Sequence, residues 1–208
     1  MSEKIIERRS MNVEIRALVD GEKRTIEGYA AVFGQWSEDL GGFREKILPG
    51  AFSGVLERGD DVRALVNHDP NLVLGRTASG TLRLQEDEAG LRVSVQLPDT
   101  QYARDLISVL ERGDVNQMSF GFEVARDRWY EENGQTYREL IDIARLYDVS
   151  VVTFPAYPQT IAAARDVLNA RSDYSIQVDE DARAETSRSQ GRLDVMRRKI
   201  EILKLKIK

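Results

Sequence analysis

Asn133-Gly134 is the strongest hairpin signal in the chain, because an Asn-Gly pair readily supplies the two positive φ values of a tight two-residue turn. It predicts one strand entering over residues 116–127 and another returning over 136–146. The same alternation of apolar and polar residues, punctuated by turn formers, recurs elsewhere. Val13, Ile15 and Ala17 alternate before the turn-forming VDGEK, and residues 25–32 run back as a second hairpin. Short strands are expected at 62–67, 72–76, 81–85 and 91–97, read together as a meander, and a buried β-branched strand at 149–154. Residues 33–50 are rich in glycine and charge around a short FREKIL strand, the pattern of a long surface connection.

Two helices interrupt the strands. Phe52, Val55 and Leu56 take helical spacing before Gly59, and Leu106, Val109 and Leu110 do so before Gly113, with Asp99 or Thr100 placed to cap the second helix. Both helices close on the word VLERGD, at residues 55–60 and 109–114. Glycine takes the left-handed conformation cheaply at such ends, so shared helix-ending chemistry explains the repeat better than duplication. Thr160 can cap a last small helix through Asn169.

A chain of 208 residues can bury one good core and carry a tail. Residues 1–171 form the expected domain, and 172–190 lose nearly all large apolar side chains, as a linker does. In residues 191–208, Leu193, Met196, Ile200, Leu203 and Ile207 step by three and four along a basic, coiled-coil-like helix. Thirty Lys and Arg against thirty-five Asp and Glu give a net charge of −5, which disfavours a general affinity for nucleic acid or anionic membrane. No apolar run approaches bilayer length. With no cysteine and a single histidine, a thiolate zinc site and a His-rich metal site are excluded.

The chemistry-bearing candidates are few. Ser119 alternates with Met118 and Phe120 on an expected strand, beside Gly121, which leaves room for a substrate backbone. Most serines on strands are merely solvated, so its company matters. His68, the only imidazole, ends the apolar run VRALVN just before Asp69-Pro70, where a strand delivers a side chain to a rim.

Four words, LPGAF (48–52), VNHDPNLVLGR (66–76), QMSFGF (117–122) and LYDVSVVTFPAYPQT (146–160), occur in an order and spacing that resemble the prohead maturation proteases of tailed bacteriophages. That family is related in fold to the herpesvirus assemblins. The resemblance spans most of residues 11–165 and none of 172–208. It implies an α+β fold, a small and mostly antiparallel β-barrel with peripheral helices. It places the nucleophile on Ser119 and the catalytic histidine on His68.

Assemblin-type sites use a second histidine, which this chain lacks, so either an acidic residue takes its place or a Ser-His dyad operates. Asp148, in the acidic-VS word of the last strand, is the first choice and Asp142 the runner-up. In an unbroken strand Asp142 would point the same way as Asp148, whereas Asp69 would point away from the site. The resemblance also assigns an oxyanion role to Arg165, the only arginine between Phe154 and Asn169.

The function implied is a serine endopeptidase that cleaves capsid or scaffold protein, and itself, inside an assembling procapsid in the host cytoplasm. It needs no cofactor. Its partners are the major capsid protein and scaffold, or a scaffold domain of the capsid protein, with a homo-oligomer allowed and no membrane or specific nucleic acid. Two other classes fit parts of the sequence. One is a non-catalytic assembly or scaffolding protein docking through its C-terminal helix, for which Ser119 and His68 would fall on different faces. The other is a barrel binding nucleic acid, which the concentration of basic residues in the tail disfavours.

Overall fold

Asn133 and Gly134 adopt φ of 51° and 73° in the computed structural model, as a type I′ turn requires. The structure describes residues 6–13, 15–21 and 23–154. Their elements are β1 (Glu7–Asn12), β2 (Arg16–Asp20), β3 (Lys23–Val32), β4 (Phe43–Ile47), α1 (Ser53–Arg58), β5 (Arg63–Val66) and β6 (Asp69–Arg76). There follow β7 (Leu82–Glu86), β8 (Gly90–Gln96), α2 (Gln101–Glu111), β9 (Gln117–Glu132) and β10 (Gln135–Val152).

β10 is the spine of the first sheet. β9 pairs with it antiparallel from end to end, β4 runs parallel to its first part, and β5 runs parallel to Asp148–Val151 at its last part. β1 extends the sheet beyond β9 and β6 beyond β5, while β2, β3, β8 and β7 form a second, antiparallel sheet in that order. This is a mostly strand, α+β fold. Neither strand order closes on itself among the described residues.

The core lies on one face of β9, where Met118, Phe120 and Phe122 are fully buried. Phe120 stacks on Phe122 at 4.8 Å and meets Phe52 edge-on at 5.6 Å. Val93 and Val95 of the second sheet, Val55 of α1, and Leu106 of α2 complete the same cluster. Each fully buried side chain of this size contributes about 1.5–3 kcal/mol by leaving water.

Helix ends show what local chemistry can and cannot specify. Gly59 and Gly113 both take positive φ, and the two VLERGD words make the same bonds. Gly59 and Gly113 donate to Leu56 and Leu110, while Asp60 and Asp114 donate to Val55 and Val109. At the N-termini the partners are tertiary or absent. Glu86 of β7 accepts from the Gly50 and Phe52 amides ahead of α1. Thr100 stands at the N-cap of α2 without a side-chain cap bond, and Asp99 instead pairs with Arg24 and Arg104, so the expected capping does not form.

Three other expectations change. The meander is divided, with the β5–β6 hairpin in the first sheet and the β7–β8 hairpin in the second. The returning strand and the buried strand after it are one 18-residue strand, β10. The FREKIL strand expected within the surface connection forms as β4, but it lies in the core, with Phe43 and Ile47 fully buried.

β1 has no counterpart in the sequence reading, because its inward side chains are charged. Glu7 and Arg9 are buried, and Arg9 bonds Glu45 at 2.8 Å and Glu7 at 2.6 Å. Arg138 bonds Glu7 at 2.6 and 2.9 Å, Glu45 at 2.9 Å and Asp127 at 2.7 Å. The expected small helix ending at Asn169, the linker over 172–190 and the helix over 191–208 lie outside the described residues.

Burial pushes the Glu7 carboxyl up, but the Arg138 hydrogen bond and the charges of Arg9 and Arg138 outweigh it and hold it below the ordinary 4.5. A folded value below the unfolded one gives stability that is complete above the unfolded value and is lost as pH falls through the folded one. Urea midpoints taken from about pH 7 down to about pH 3 should therefore fall more steeply for the parent than for Glu7→Gln. At neutral pH Arg138→Ala should cost about 3–5 kcal/mol by leaving Arg9 alone to answer the two buried carboxylates Glu7 and Glu45. Parallel acid profiles, or a neutral Arg138→Ala, would remove the network from the account of stability.

Candidate active site

Val66 pairs with Asp69 across the β5–β6 hairpin, so Asn67 and His68 are its two turn residues. Their φ values are 51° and 58°. Left-handed backbone is uncommon for residues other than glycine, and it persists where the surroundings hold it. Here the turn brings the imidazole over β9 and β10. His68 Nε2 lies 2.7 Å from Ser119 Oγ, and His68 Nδ1 lies 2.6 Å from Asp148 Oδ1.

The register of β9 and β10 explains why these side chains share a face. Ser119 is opposite Ser150, and Gly121 is opposite Asp148. Met118, Phe120 and Phe122 fill the core, so the alternate residues Ser119 and Gly121 turn to the other face. A Cβ on Gly121 would lie 2.5 Å from Asp148 Oδ2. The room beside Ser119 that sequence reading reserved for a substrate is thus taken, at Gly121, by the carboxylate. Ser150 is fully buried and donates to Asp148 Oδ1 at 2.7 Å, with its Oγ 3.3 Å from His68 Nδ1.

Asp142 does not join them. From Asp142 to Asp148, β10 advances six residues while β9 advances five, from Arg126 to Gly121, because of bulges between the two. Five residues of strand put Asp142 about 15 Å along the sheet from Asp148, out of reach of the imidazole. Asp142 pairs instead with Arg126 at 2.8 Å, half-exposed. Asp69 accepts from the Asn71 amide at 2.8 Å, away from the relay. Arg165 lies outside the described residues.

Two contributors escaped the sequence reading. Ser150 had a usable signal, since it stands two residues beyond Asp148 in a strand and so shares its face. Asn67 gave none, because its partner Thr153 is 86 residues away.

The side chains of His68 and Asp148 are only 12% and 11% exposed, so water screens their interaction little. Ser119 is itself fully buried. With Nδ1–H donated to Asp148, Nε2 is left as the acceptor for the Ser119 proton. A hydroxyl, an imidazole and a carboxylate in this order are the parts of a serine-hydrolase type of acyl-transfer site, recognised by geometry and not by chain order.

The sequence matches the model of the Caudovirus prohead serine protease family over residues 11–173, and the chain belongs to that family. It is 38% identical over 159 residues to the prohead protease of Enterobacteria phage HK97, a match covering 74% of this chain and 66% of that one, just under two thirds of the relative's length. A more distant likeness is to the structure of the bacteriophage T4 capsid assembly protease. There the TM-score is 0.44 and the identity 11%, over 70% of this chain and 98% of that one.

Gly121→Ala tests the packing of the relay. The added methyl should drive Asp148 off His68 and slow labelling of Ser119 by a fluorophosphonate about tenfold or more, with the far-ultraviolet circular dichroism unchanged. Labelling at the parental rate would show that Asp148 does not depend on the space at Gly121.

Proposed function

We propose that this chain is a serine endopeptidase that cleaves capsid or scaffold protein during procapsid maturation, and that it also cuts itself. The observation that carries this reading is the relay from Ser119 through His68 to Asp148, at 2.7 and 2.6 Å. Ser119 Oγ attacks the peptide carbonyl as its proton passes to His68 Nε2, and Asp148 stabilises the imidazolium. The imidazolium then protonates the leaving amine. Water, deprotonated by the same nitrogen, releases the acyl group from Ser119.

Membership of the family and the names of the relatives support a capsid-derived substrate and a place of action inside the procapsid, in the host cytoplasm. The alternative, a non-catalytic assembly or scaffolding protein docking through its C-terminal helix, gives no reason for the only histidine to sit between a buried serine and a buried aspartate. We also read the two sheets as an assemblin-like barrel opened at its seams. Support comes from Arg76 of β6, whose amide bonds Thr81 just ahead of β7, and from Met11 of β1, whose sulfur accepts from the Val32 amide of β3.

With the cognate capsid precursor as substrate, Ser119→Ala and His68→Ala should each lose nearly all cleavage and keep the fold. Asp148→Ala should lose less, because an orienting carboxylate is worth less than the nucleophile or the base. Full cleavage by Ser119→Ala would return the chain to the scaffolding class.

Residues 172–190 have too little apolar surface to fold away from a protease cleft. They are the segment proposed for self-cleavage, which would free the domain from its basic C-terminal anchor. Intact-mass measurement over time should show the parent shortening to an end between residues 169 and 190, while Ser119→Ala stays full length. Identical trimming of both would assign the cut to another protease.

A further inference from the structure

We infer that Asn67 is a positioning residue for His68, acting as a clamp between the β5–β6 turn and the C-terminal end of β10. This rests on the serine-protease reading and extends it to a residue outside the relay. Three hydrogen bonds converge on Asn67. Its backbone amide donates to the Val151 carbonyl at 2.9 Å. Its side-chain Oδ1 accepts from the Thr153 amide at 2.9 Å, and its Nδ2 donates to Thr153 Oγ1 at 3.3 Å. One residue thus ties the turn to the strand end that follows Asp148 and Ser150.

The clamp answers a need set by the backbone. Both turn residues hold positive φ, at 51° and 58°, a conformation that crowds any side chain with a Cβ. Asn67 is exposed, so it does not hold the turn by packing. β5 stops pairing with β10 at Val66, and beyond that point the Asn67 bonds continue the attachment for one more residue. His68 comes next in the chain, and its ring must meet Ser119 and Asp148 together. A turn free to pivot about Val66 would misplace the imidazole, and misplacement of about 1 Å at a reacting group costs orders of magnitude in rate.

Asparagine also suits the position for a second reason. It tolerates the left-handed region better than most residues, so one side chain meets the turn geometry and supplies the amide. Glycine would keep only the first property, and aspartate would keep the first together with an acceptor for the Thr153 amide.

The test follows from that difference. A fluorophosphonate phosphonylates the serine oxygen, an O–P bond forming as fluoride leaves, and needs no knowledge of the natural substrate, so its labelling of Ser119 reads the relay directly. Asn67→Gly should lower the maximal labelling rate about tenfold or more, with the half-saturating concentration of the probe within about twofold of the parent. Asn67→Asp should recover most of that loss, and Thr153→Val, which keeps the backbone amide, should lose less than Asn67→Gly. Parental labelling by Asn67→Gly would overturn the inference, as would an Asn67→Asp protein no faster than Asn67→Gly. If the parent itself were not labelled at Ser119 while remaining folded, the serine-protease reading would fail first. A labelled parent with an indifferent Asn67→Gly would remove the clamp alone.

Discussion

The pairing of β9 with β10 is the constraint on which the other parts depend. One face of β9 carries Met118, Phe120 and Phe122 into the core, and the other carries Ser119 and Gly121 to the site. A slip of one residue would exchange the faces, turning the hydroxyl into the apolar core and three large apolar side chains toward the site. The aromatic packing that stabilises the fold therefore also fixes the side on which Ser119 stands. Stability and site geometry are two consequences of one register.

β10 supplies the remaining attachments. Its parallel pairing with β5 delivers the His68 turn to the level of Asp148 and Ser150, and that level decides which aspartate reaches the imidazole. Asp142 lies farther back along β10, where it pairs with Arg126. Gly121 completes the arrangement, since any larger residue there would occupy the space of the Asp148 carboxylate.

The buried ion network solves a different problem. β1 covers the outer edge of β9 alongside Ser119, with Ser10 opposite it, yet its inward residues at positions 7 and 9 are charged. Arg9 and Arg138 answer Glu7, Glu45 and Asp127 across four strands, β1, β4, β9 and β10. Such a network fixes geometry as much as it adds stability, because each member left unpaired in the interior is costly. It also sets the edge strand in one register beside the strand that carries the candidate nucleophile.

Much of this was legible in the sequence wherever the cause is local. The Asn133-Gly134 turn, the left-handed glycines ending both VLERGD helices and the alternation around Ser119 depend on residues a few positions apart, and their chemistry is the same in any fold. Ser119, His68 and Asp148 could also be singled out by residue type and by resemblance. Tertiary structure decided the rest. β1 was hidden because its buried side chains are charged, and hydrophobic alternation cannot report a buried salt bridge. The splitting of two hairpins between sheets, the level at which His68 meets β10, the cap that Glu86 gives α1 and the Asn67–Thr153 bonds all depend on pairings across long stretches of chain. Those pairings come from a register summed over bulges, and no single segment encodes that sum.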